Sequence, residues 1–142
     1  MEDHAVAQRA HGLFDTVSRT DSLKFWADHG LNYERVRDMV GLTNEDLSRL
    51  AQVSKSSVRF DERIPPLLKE RMEQIANCCQ RIADHFDGNA QKTSLWFKTP
   101  NPMLGNVSPR DMIRYGRFVK LQRFIAGALS NNDSRAAKAE EA

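Results

Sequence analysis

The sequence predicts an all-α protein. Every periodic segment repeats its apolar residues at helical spacing, and no segment alternates apolar and polar residues convincingly. Two proline-led helix starts, at Pro65-Pro66 and at Ser108-Pro109, support the same class, because a missing N–H costs nothing there. With 142 residues, 40% hydrophobic and 28% charged, the chain can build one domain with a real core or two small ones sharing contacts.

Val6, Leu13, Phe14 and Val17 define a helical extension over residues 1–19. From Asn32 to Val40, the apolar positions Tyr33, Val36, Met39 and Val40 make a second helix, and Gly41 stops it. Thr43 then caps a helix whose first turn holds Asn44, Glu45 and Asp46. Acids there oppose the positive end of the helix dipole. Leu47, Leu50 and Ala51 form its inward stripe, and Ser54 opens SKSSVRF, a second short helix with Val58 inward.

The clearest helix runs from Pro65 to about residue 87. Leu68, Met72, Ile75, Cys79, Ile82 and Phe86 recur at steps of four, three, four, three and four, and Gly88 follows. Such a seam serves either as the core-facing side of one chain or as the contact of a helix–helix dimer.

The stretch WFKTPNPMLGNVSPRDMI, residues 96–113, holds three of the five prolines, two Asn, a Gly and a Trp-Phe pair. Each residue before a Pro is pushed to extended backbone, so Thr-Pro-Asn-Pro resists helix. Asn101 suits a local turn and Gly105 the positive φ that ends one. Trp96, Phe97, Met103 and Leu104 would pin the loop to its neighbours. Ser108-Pro109-Arg110-Asp111 then starts a helix to about Tyr115, Gly116 bends or stops it, and a last helix carries Phe118, Leu121, Ile125 and Ala128 or Leu129 on one face. The tail, residues 130–142, has little to bury and reads as flexible.

Charge is unevenly placed although the net is only +2. Residues 1–42 carry −2, residues 43–64 are neutral, and residues 89–129 carry +6, with Asp111 their single acid. Cys78 and Cys79 are adjacent in a helical pattern, which no ordinary framework disulfide would use. The start, MEDHAVAQRAHG, is unlike a secretory signal, and no apolar run is long enough to cross a bilayer. These features favour a cytoplasmic protein without a membrane partner.

Two constellations could carry function. The first is the pair of short helices over 43–62, which resembles a helix-turn-helix of the Xre type. In that geometry the second helix enters the major groove, with Ser54, Lys55, Ser56, Ser57 and Arg59 nearest DNA. Arg59 is best suited to a bidentate pair with guanine. Ser48 and Gln52 stand where the motif usually has Ala and Gly, and Asp61 and Glu62 would repel phosphate if they faced it. Use of the motif as scaffold only is therefore a real alternative.

The second is the C-terminal third. The run SLWFKTPNPMLGNVSPRDMIRYGRFVKLQRFIAGAL resembles the toxin-binding domain of Xre/MbcA/ParS antitoxins. Trp96, Pro100-Asn101-Pro102, Leu104-Gly105, Ser108-Pro109, Gly116 and the final amphipathic helix carry the likeness. It implies an Xre-like lobe over 20–88 and a toxin-binding lobe over 89–129. It further implies a RES-domain toxin as partner, one that destroys NAD, whose active-site entrance the C-terminal lobe covers. Operator DNA and a homodimer are implied as well. Trp96, Pro100, Asn101, Pro102, Leu104, Arg110, Arg114, Tyr115 and Arg117 are the expected toxin-contacting residues. Arg110, Arg114 and Arg117, at spacing four and three, would make one basic helical face. Trp, Tyr and Arg dominate binding hot spots, which singles out Trp96 and Tyr115 as anchors.

Nothing in the sequence assembles an enzyme. The four His are scattered, no Gly-rich phosphate loop is present, and Ser54, Ser56 and Ser57 have no identifiable base. No metal or cofactor is expected. The rival to the antitoxin is a stand-alone DNA-binding regulator whose C-terminal lobe only dimerises.

Overall fold

The computed structural model describes residues 21–141, with side chains through Ser130. The helical extension expected over 1–19 lies outside the described residues. What is described is mostly helical: six α-helices and one two-stranded hairpin.

The hairpin departs from the purely helical expectation. Its strands, β1 (Trp26–Ala27) and β2 (Gly30–Leu31), are too short to show alternation in sequence. Asp21 holds the approach to it, since its carboxylate accepts from the N–H groups of Phe25 and Trp26 at 2.9 Å each. The same carboxylate accepts from Nε2 of buried Gln80 at 2.8 Å. Leu23, Phe25 and Leu31 point into the core, so the hairpin caps the helical body.

Helix α1 (Tyr33–Val40) begins where Asn32 Oδ1 accepts from Arg35 N, and it ends at Gly41. Gly41 sits at φ 83°, and a Cβ there would lie 2.9 Å from Lys98 Cε. The left-handed backbone favours glycine there. Helix α2 (Asn44–Ala51) opens with a full capping box: Thr43 Oγ1 accepts from Asp46 N at 3.0 Å, and Asp46 accepts from Thr43 N at 2.8 Å. Gln52 closes it in the left-handed region at φ 58°, where glycine is more comfortable. Ser48 Oγ donates to the Val53 carbonyl at 2.6 Å and ties the same turn.

Helix α3 (Pro66–His85) is the spine, packing against α1 and α2 and against both later helices α4 (Ala90–Lys98) and α6 (Phe118–Glu141). Leu68, Met72, Ile75, Cys79 and Ile82 are buried within the one chain. These five face the core of their own chain, and Phe86, the sixth of the seam, is partly buried against it, which matches the core-facing reading. Helix α4 is a further departure, because the sequence reading placed no helix there. Its signals are local: Asn89 Oδ1 accepts from Lys92 N, and Thr93 and Phe97 are buried one turn apart.

Helix α5 (Pro109–Arg114) starts as expected, with Ser108 Oγ accepting from Asp111 N. Gly116, at φ 77°, reverses the chain into α6. That last helix continues to Glu141, through the stretch read from sequence as a flexible tail. Phe97, Met112, Ile113, Phe118, Leu121 and Ile125 join the same buried cluster as α1–α3, so both halves of the chain share one core.

Candidate functional site

The short helix expected from Ser54 is a single 3-10 turn, Lys55–Ser57, and Val58 is already extended. The local chemistry explains the difference. Ser54 Oγ bonds to the hydroxyls of Ser56 and Ser57 (3.1 and 2.8 Å) instead of capping backbone N–H groups. Serines compete with the backbone for hydrogen bonds, and the Val-Arg-Phe that follows favours extended chain.

Arg59 is also occupied. Its Nε donates to Asp61 Oδ1 at 2.8 Å and its Nη2 to Asp61 Oδ2, which is a bidentate fork. Arg59, with the Arg63 N–H behind it, holds the Asp61 carboxyl down at about 2. The guanidinium that was to read guanine therefore carries its own counter-ion. Lys55 faces an open cleft of about 580 Å³ shared with Arg37, Asp38 and Glu45, and the four charges together cancel. Ser54, Lys55, Ser56 and Ser57 are brought together on one turn, but not on a helix that could lie along a groove.

The C-terminal third is assembled differently. Residues 99–108 form a closed knuckle between α4 and α5. Asn101 N donates to the Val107 carbonyl at 3.1 Å, and Asn106 N donates back to the Asn101 carbonyl at 3.0 Å. Asn101 Oδ1 accepts from Met103 N at 2.9 Å, which starts the 3-10 turn Pro102–Leu104. Gly105 and Asn106, at φ 71° and 64°, complete the reversal. Leu104 turns inward against the core, whereas Pro100, Pro102 and Met103 are exposed. Trp96 is half-buried, its ring edge-on to Phe97 with centroids 5.0 Å apart. Tyr115, at the end of α5, is 64% exposed.

The single basic face expected from Arg110, Arg114 and Arg117 does not exist, because α5 ends at Arg114 and the chain turns before Arg117. Arg114 Nε donates to Asp46 Oδ2 at 3.0 Å, Nη1 to Asp111 at 3.2 Å, and Nη2 to the Gly41 carbonyl at 3.4 Å. Arg110 lies over Gly41, with its Nε enclosed and making no hydrogen bond. Arg117 alone of the three is exposed. Arg114 therefore ties α5 to Asp46 and to the carbonyl at the carboxyl end of α1, where a cation suits the helix dipole.

Asp46 was not singled out from sequence beyond its capping position, yet it is the hub. Burial alone would raise its carboxyl; the N–H of Thr43 and the guanidinium of Arg114 outweigh that and hold it below the usual range.

No protein-family model, curated protein or solved structure matches the chain.

Among the described residues no group of three or more His, Cys, Asp or Glu side chains gathers to hold a metal, and no helix is long and apolar enough to cross a membrane. Burial raises the thiol of Cys78 to about 12 and that of Cys79 well above its ordinary value. The best-built exposed feature is the knuckle, which lies in a segment of net charge +6.

Proposed function

We propose that this chain is an antitoxin of the Xre/MbcA/ParS type, which binds a RES-domain, NAD-depleting toxin and covers its active-site entrance. One observation carries the reading. The stretch with the resemblance is a rigid, hydrogen-bonded knuckle that leaves Pro100, Pro102 and Met103 on the surface, within a region of net charge +6. Pro100 and Pro102 help fix this connection, and Met103 is held outward upon it. Affinity would come from an apolar centre, with a cationic rim that steers an acidic partner.

The segment over 43–64 serves this proposal as scaffold. The 3-10 turn at Lys55–Ser57 and the Arg59–Asp61 fork favour that version over promoter binding, and they weigh against a stand-alone regulator.

The test is a pull-down of the tagged chain from extract of its own source, with retained proteins identified by mass spectrometry. A RES-domain partner whose NAD-consuming activity reappears on separation is the expected result. Recovery of DNA fragments without a protein partner would replace the antitoxin with the regulator.

A further inference from the structure

We infer that Met103 is the knob by which this surface enters its protein partner, and that the partner offers an apolar socket rimmed by carboxylates. The inference rests on the antitoxin reading and narrows it to one side chain.

An exposed methionine alone would mean little, since folded proteins leave much apolar area in water. Here the backbone beneath it is unusually determined. Met103 is 78% exposed, and its own N–H is held by Asn101 Oδ1. Pro102 fixes the dihedral before it, and Leu104 after it packs, partly buried, against the core. The Asn101–Val107 bridge and the left-handed pair Gly105-Asn106 close the loop from below. The ordering of this segment is complete before any partner arrives, which removes a main cost of association. The thioether remains adaptable at the tip and can fill an irregular recess.

The rim is inferred from the charge of the whole segment, +6 over residues 89–129. Lys98 and Arg117 are exposed, while Asp111, the single acid of residues 89–129, is paired with Arg114. A socket ringed by acids complements that surface. A nucleic acid would use the same cations, but it gives a methionine at the tip of the turn no recess to fill.

The test titrates the full chain calorimetrically into the RES-domain proteins encoded by its source genome. Met103→Gln, similar in length but polar, is expected to weaken binding about tenfold or more without changing the melting temperature, and Met103→Leu to restore it. Raised salt is expected to weaken the unaltered complex. Hydrogen exchange on that complex, which needs no variant, should show new protection over residues 101–106. Binding by Met103→Gln equal to the unaltered chain, or no such protection, overturns the knob while leaving the antitoxin reading intact. Affinity indifferent to salt overturns the acidic rim. If the unaltered chain binds none of these proteins, the antitoxin reading fails and this assignment fails with it.

Discussion

Arg114 Nε lies 3.0 Å from Oδ2 of Asp46, a residue 68 positions earlier in the chain. The carboxylate is nearly enclosed, with 5% of its side chain exposed against 27% for the arginine. It also accepts from Arg49 Nη2 at 2.7 Å and from Thr43 N. One carboxylate thus caps α2 and fixes α5 upon it.

Replacing Asp46 by Ala removes a cap and leaves Arg114 without its main partner. The expected loss is about 2 kcal/mol, below the range for a fully buried pair because Arg114 can reach water. Urea unfolding with an unchanged slope would register it as a stability change alone.

Acid should erase the same contribution. The folded-state carboxyl of Asp46 is depressed, so its stabilisation is complete above the ordinary aspartate value, near ~3.9, and is lost as pH falls through the depressed value. The stability difference between the unaltered chain and Asp46→Asn should therefore shrink as pH falls from the ordinary aspartate value through the depressed one. A difference that stays constant would show that the carboxyl is not depressed.

Arg114 and Arg117 should separate cleanly. Arg114→Glu sets a carboxylate against Asp46 and is expected to lower the melting temperature markedly. Arg117→Glu is exposed and should change stability by no more than about 0.5 kcal/mol. Under the antitoxin proposal it nevertheless weakens protection of cells expressing the toxin. Circular dichroism and a survival assay read the two effects apart.

For the 3-10 turn, Lys55→Ala and Arg59→Ala together should change affinity for the chain's own promoter duplex by less than about 1 kcal/mol at fixed salt. A guanine-reading Arg would by itself be worth about 1–3 kcal/mol. Fluorescence anisotropy decides between them.

Cys78 and Cys79 should be inert to a thiol reagent in the folded chain and react only as it unfolds. Burial pushes the first thiol up to about 12, so almost no thiolate exists near neutral pH. Labelling kinetics with and without denaturant would show it.

Local signals made much of the fold legible. The Thr43 cap, the Ser108-Pro109 start, the Gly41 stop and the α3 stripe each depend on residues within a turn or two, and each appears as expected. The hairpin at Trp26–Leu31 was invisible because its order comes from Asp21 and from Gln80, far along the chain. The 3-10 turn at Lys55 was misread because serine hydroxyls bonded to one another. At the C-terminal surface the Arg spacing was legible, but its meaning was not. Periodicity places Arg110 and Arg114 on one side of α5 and says nothing of the carboxylate and carbonyl waiting on α1 and α2.

The shared use of α3 has a consequence for turnover. Helices from before and after α3 pack against it, and its Leu68, Met72, Ile75 and Ile82 are buried among them. A protease that cuts once anywhere along that spine removes the support of both ends together. Under the antitoxin proposal, a single cut within α3 is therefore expected to release the partner at once instead of leaving half of the chain bound to it.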